Sequence, residues 1–295
     1  MRKRPIPWLL SAPPLLYLLA LFALPGLLMA LAAFRIPGEY GGLMPLWSQE
    51  DGELGINLTL ENVTRLFEDG LYLALLARSL GYAVLTTALC LLLGYPLAWL
   101  IAHSGRRWRD LLLLLVILPF WSNFLIRIYA WMIILSPVGA ISRMVNAVLA
   151  PLGLGPVELL YTPTAVIICL VYVHLPFVVL PLYANLEKHD PALLEAARDL
   201  GASPAQRFLH VTLPLSMPGV LAGAALVFIP SFSMFAIPDL VGGTGGVMIG
   251  NVIKQQFLDA RDWPFGSVLS LAVTAVALLL AALAAALARR GVRHA

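Results

Sequence analysis

Six long apolar runs decide what this chain can become. They lie at about 8–34, 79–102, 111–135, 164–186, 213–238 and 265–287, and as a helix each is long enough to cross a hydrocarbon layer of about 30 Å. Inside such a layer the backbone has no water to bond, so the spans must close their own hydrogen bonds as helices. Composition agrees, with 60% hydrophobic and 12% charged residues in a chain of 295, against about 25% charged in a soluble domain. The expected fold class is an all-α integral membrane protein with six transmembrane helices in a single domain, 1–295. The formal net charge of +3 falls on connecting segments and forms no basic patch on a soluble domain, so it does not imply a nucleic-acid partner.

The first run follows the basic start Met1-Arg2-Lys3-Arg4 and has a signal peptide as its rival reading. Its length far exceeds an apolar signal core of about 7–15 residues, so a retained helix is expected. Orientation follows from basic residues, which collect on the cytoplasmic side. With both termini cytoplasmic, twelve of the 19 Lys and Arg residues lie inside, while eleven of the 16 Asp and Glu residues lie outside.

The polar segment 35–72 is then external. Within it Leu60, Val63, Leu66 and Phe67 recur at helical spacing between a capping Thr59 and a terminating Gly70, which predicts a short amphipathic helix. It lies either along the membrane surface or against the protein. Cys90 and Cys169 sit in separate apolar runs and read as core thiols without metal-ligand spacing. The five histidines are scattered, so no metal site and no catalytic cluster is expected.

The segment 187–212 becomes the longest cytoplasmic loop. Asp190 and Pro191 open a helix whose Leu193, Leu194, Ala197 and Leu200 share an apolar face, and Gly201 ends it. Ser203 and Pro204 start a second short helix, by the preference for hydroxyl caps and proline at the first helical position. Two short helices about a glycine elbow form a knob suited to a groove on another protein. The alternative is an amphipathic loop resting on the membrane.

The stretch Glu195-Ala196-Ala197, Gly201, Val211, Leu213 and Pro214 resembles the EAA signature of bacterial ABC-importer permeases, with valine in the place of isoleucine. Further stretches, among them Leu93 to Trp99, Pro119 to Asn123, Leu125 to Tyr129, Ile249 to Lys254 and Arg261 to Gly266, are similar to the spermidine/putrescine permeases of PotB type from about Leu58 onward. The resemblance implies a type I (MetI-like) importer fold and a place in the bacterial inner membrane. It implies a coupling role for Glu195, Ala196, Ala197, Gly201, Leu213 and Pro214. The implied partners are a PotA-type ATPase dimer that binds ATP and Mg, a second permease of PotC type, and a periplasmic polyamine-binding protein of PotD type. The chain itself is expected to bind no cofactor and to catalyse nothing. The run Gly242-Gly243-Thr244-Gly245-Gly246 lacks the Gly-Lys-Ser/Thr ending of a phosphate loop and reads as a flexible loop.

A polyamine needs carboxylates and aromatic faces along its way. Phe228, Phe232, Phe235 and Asp239 would share one face of a regular helix, which Pro230 and Pro238 interrupt. They are the candidate path, with Asp239 as the entry carboxylate, and Trp121 is added from the third span. The alternative is that the phenylalanines face lipid or a neighbouring helix and Asp239 caps the span. Trp131 belongs to that face or to the interfacial aromatic belt. Arg127 should pair with a carboxylate or reach outward, and His174 should be a hydrogen-bonded helix contact. Rival readings are an importer for another small cationic or organic solute, a secondary transporter, which would show internal repeats, a membrane enzyme, and a purely structural subunit.

Overall fold

The computed structural model describes residues 8–50, 53–68 and 70–292. The chain order is α1 (Trp8–Ala33), β1 (Trp47–Glu50), β2 (Glu53–Ile56), α2 (Glu61–Glu68), α3 (Leu71–His103), α4 (Arg106–Ile117), α5 (Phe124–Leu135), α6 (Ala140–Leu149), α7 (Pro163–Leu186), α8 (Pro191–Asp199), α9 (Pro204–Arg207), α10 (Leu213–Phe232), α11 (Ala236–Val241), α12 (Ile249–Leu258) and α13 (Trp263–Val292). Six stretches are helical and apolar over a membrane-spanning length: Ala12–Ala33, Leu71–His103, Phe124–Leu152, Pro163–Leu186, Pro204–Phe232 and Trp263–Leu283.

The third differs from the expected 111–135. Between α4 and α5 the chain tightens into a 3-10 turn at Leu118–Trp121. Pro119 lacks the N–H that a continuous helix would need there. Asn123 then restarts the helix, its side chain accepting from the Leu125 N–H at 2.8 Å. A second turn at 136–139 separates α5 from α6.

The chain divides into two compact units, residues 1–76 with 252–295, and residues 77–251. In the first, α1 packs on α13 and α2 also rests on α13. Asn62 Nδ2 donates to the carbonyls of Ala33 and Arg35 at 3.0 and 2.8 Å, tying α2 to the end of α1. Arg65 pairs with Asp262 at 2.9 Å and lies 4.1 Å from the Phe265 ring centroid. α2 thus packs against the protein along one face. Its expected face is also rotated, because Asn62 and Leu66 are buried while Leu60 and Phe67 are exposed. The antiparallel pairing of β1 and β2, Trp47 opposite Ile56, was not expected, although the Asp51-Gly52 pair in the sequence is a hairpin signal.

In the second unit the largest seam is between α7 and α10. Gly219 and Gly223 of α10 bring the helices together, since a Cβ at these positions would lie 2.8 Å from Asn185 Cβ and 3.1 Å from Val178 Cα. Small residues four apart are a common seam in lipid, where close packing replaces the hydrophobic drive. One core cluster gathers Ile128, Cys169, Leu170, Ile237 and Met248, and another gathers Cys90, Ile101, Val178 and Leu182. Both cysteines are free and buried.

Candidate functional site

The polar elbow folds as its residues require. Asp190 caps α8 by accepting from the Ala192 N–H at 3.0 Å. At the other end Gly201 takes φ +82°, a conformation that costs a side-chain-bearing residue about 1–2 kcal/mol. The Gly201 N–H donates to the Arg198 carbonyl at 2.9 Å and the Ala202 N–H to the Ala197 carbonyl at 3.0 Å, the paired closure of a glycine-terminated helix. Ser203 and Gln206 then form a reciprocal capping box, at 3.3 and 2.8 Å, that opens α9.

The second helix is not a separate short one. It runs from α9 through a π-helical turn, Phe208–Thr212, straight into α10. The elbow is thus the end of a membrane-spanning rod with α8 folded back beside it. Leu213 is the first residue of α10 and Pro214 the second. No residue of α8 is buried, and Leu193 and Leu200 are 47% and 88% exposed. Glu195 and Ala196 are exposed, and Ala197 is half-buried. Among the described residues Glu195 makes no hydrogen bond or ion pair within the chain, so no capping role for it is seen. Arg109 Nη1 meets Glu187 Oε1 at 2.7 Å, tying the start of α4 to the end of α7, a pairing the sequence reading missed.

The proposed path residues do not share one regular helix. The helix passes through Pro230 and stops at Phe232, and α11 begins at Ala236. Pro238 has no N–H for the Met234 carbonyl, which a continuous helix would need, and residues from α12 pack into the break. Gly250, at the start of α12, fits against this break so closely that a Cβ there would lie 2.5 Å from the Ser233 carbonyl oxygen. Asn251 Nδ2 donates to the Phe235 carbonyl at 2.9 Å and to Asp239 Oδ1. Its own carbonyl oxygen accepts from the Met248 N–H at 2.9 Å, which orients the amide. Ser79 Oγ accepts from the Ile249 N–H at 2.8 Å and seats the helix start. Ser79, Gly250 and Asn251 are absent from the candidate path read from the sequence, although Gly250 and Asn251 lie in the family-like stretch Ile249 to Lys254.

Around the break Asp239 is exposed and Phe235 is 46% exposed. Phe232 is wholly buried and stacks on the half-buried Phe228 at 6.0 Å between centroids, so Phe232 is a packing residue and not an open lining. Trp121 is 76% exposed in the 3-10 turn and makes no ring contact with this group among the described residues. Trp131 packs against the core with its ring edge-on to Tyr172 at 5.3 Å. Among the described residues Arg127 pairs with no carboxylate. Its guanidinium lies 5.6 Å from the Phe120 ring centroid and its Nε is buried without a hydrogen-bond partner. His174 is buried, with Nδ1 donating to the Leu170 carbonyl at 2.8 Å.

The glycine run is a turn closed at its two ends, with Gly243, Thr244 and Gly245 exposed between them. Gly242 and Gly246 are buried, a Cβ at Gly246 would lie 2.5 Å from Gly242 Cα, and Arg78 donates to the Gly245 carbonyl at 3.3 Å.

The family profile described as "Binding-protein-dependent transport system inner membrane component" matches residues 94–293. The spermidine/putrescine transport system permease protein PotB of Escherichia coli is 51% identical over 220 residues, covering 74% of this chain and 78% of that protein. PotB of Haemophilus influenzae is 48% identical over 225 residues, 76% of this chain and 77% of that one. A crystal structure of a bacterial alginate ABC transporter, in complex with an alginate pentasaccharide-bound periplasmic protein, superposes with a TM-score of 0.69 at 20% identity, covering 96% of this chain and 94% of that one. That likeness concerns the fold.

Proposed function

Because this chain belongs to the inner-membrane components of binding-protein-dependent transport systems, we propose that it is the PotB-type permease of an ATP-driven importer for polyamines such as spermidine and putrescine. It is a multi-pass inner-membrane protein. The observation that carries the coupling role is the elbow, an exposed apolar knob continuous with a membrane-spanning rod. The polyamine assignment rests on the 51% identity to a spermidine/putrescine permease.

Both termini and the elbow face the cytoplasm, where an ATPase dimer binds nucleotide and magnesium and closes on hydrolysis-competent ATP. A second permease completes the path, and an external binding protein delivers the substrate. Movement of α8 reaches α10 through the capped turn at 200–203, beyond which α9, the π-helical turn and α10 form one rod. The far end of that rod is the break at 233–235, beside Asp239 and the half-exposed Phe235 ring. A carboxylate held by a neutral amide, next to an aromatic face, suits an ammonium group, and a broken helix is tolerated at membrane depth only beside protein or a water-filled cavity.

The test is the whole importer in proteoliposomes. ATP-dependent uptake of labelled spermidine should occur and should be competed by unlabelled putrescine. Uptake that ignores polyamines, or that proceeds without the ATPase, would overturn the reading.

A further inference from the structure

Between α8 and the start of the α10 rod lies a cleft of about 350 Å³, lined by Ala197, Leu200, Gly201, Gln206, Arg207 and His210 among others. Its polar atoms are unbalanced. Arg207 Nε is shielded from solvent and has no hydrogen-bond partner among the described residues, and a guanidinium offers donors only. Gln206 has its side-chain oxygen engaged by the Ser203 N–H at 2.8 Å, which leaves its amide N–H groups for the cleft. His210 faces the Gln206 carbonyl with Nδ1 at 3.0 Å, so that nitrogen carries a hydrogen and is used. Among the described residues no carboxylate lines the cleft, while at its rim Leu200 stands 88% exposed. A half-buried guanidinium whose Nε is unbonded, beside apolar residues and a free amide, suits an acceptor that can fill its bonds.

We propose that this cleft receives an acidic side chain from the ATPase subunit, its carboxylate bonded to Arg207 and Gln206 and its stem packed on Ala197 and Leu200. This rests on the coupling role of the elbow and gives that contact its chemistry. The apolar ridge of α8 enters a groove on the partner, and the partner returns a carboxylate into the elbow. The exchange locks the two in one register, because a misplaced docking leaves the Arg207 charge unpaired.

The test uses the complete importer in uncharged-lipid nanodiscs and in anionic vesicles, with Arg207→Gln, Arg207→Lys and Arg207→Glu, and Gly201→Val as control. Arg207→Gln should lower ATPase affinity about thirtyfold, as for removal of one member of a hydrogen-bonded interfacial charge pair, and Arg207→Lys should restore part of it. Arg207→Glu should be rescued by lysine at one acidic position of the ATPase. Full affinity in Arg207→Gln and Arg207→Glu while Gly201→Val uncouples transport would overturn the carboxylate seat and leave the elbow role intact. Coupling unaffected by every variant would overturn the elbow role itself. A defect confined to anionic vesicles would assign Arg207 to lipid headgroups and overturn the proposal.

Discussion

Asp239 and Gly201 show how differently two single residues carry function. Asp239 acts through charge. Its carboxylate is exposed near the helix break and held by Asn251, and Asp239→Asn keeps the shape while removing the charge. Charged hydrogen bonds contribute about 1.5–3 kcal/mol, so the half-saturating polyamine concentration for uptake should rise about tenfold or more with the complex present at normal levels. Unchanged uptake would remove Asp239 from the path. Gly201 acts through backbone conformation. Nothing lies within 4 Å of a Cβ placed there, so bulk is no obstacle, and the φ of +82° alone discriminates. Asparagine tolerates that region far better than a β-branched residue. Gly201→Asn should therefore keep ATP-driven uptake close to wild type, while Gly201→Val hydrolyses ATP with little uptake. Equal behaviour of the two variants would show that the turn conformation is irrelevant to coupling.

At the scale of elements, the break between α10 and α11 is the feature built from the most distant parts. Of the two prolines, Pro230 lies within the continuing helix, while Pro238 removes the bond to the Met234 carbonyl inside the break. Gly250 makes room for the turned carbonyls and Asn251 satisfies one of them. Gly250→Val would overlap the Ser233 carbonyl, and overpacking of this kind costs about 1–3 kcal/mol. The detergent-solubilised complex should lose thermal stability, read as a lower melting midpoint by size-exclusion fluorescence. Stability equal to wild type would mean that the break does not depend on this contact. The elbow, by contrast, is assembled from neighbours in sequence, each cap bonding a backbone group two or three residues away.

At the scale of the molecule, six spans with basic residues gathered on one side make orientation testable. Cys90 and Cys169 are buried, so an impermeant thiol reagent should ignore the native chain. Leu200→Cys replaces a residue 88% exposed and Tyr40→Cys one 92% exposed. The first should react only from the cytoplasmic side and the second only from outside, and the reverse pattern would invert the topology.

What the sequence determined by itself was whatever depends on local chemistry. Apolar length set the number of spans, and capping residues placed Asp190, Gly201 and Ser203 at the turns of the elbow. What only the tertiary structure decided was whatever needs a partner far along the chain. The break at 233–235 needs Gly250 and Asn251, the seat of α2 needs Asp262 and Phe265, and the burial of Phe232 needs its neighbours in the packed unit. A periodic pattern shows that residues share a helix face only while the helix continues. In this membrane span Pro238 announces an interruption, but the geometry of the break is set by close backbone approach between elements, which is signalled locally only by a glycine and an asparagine.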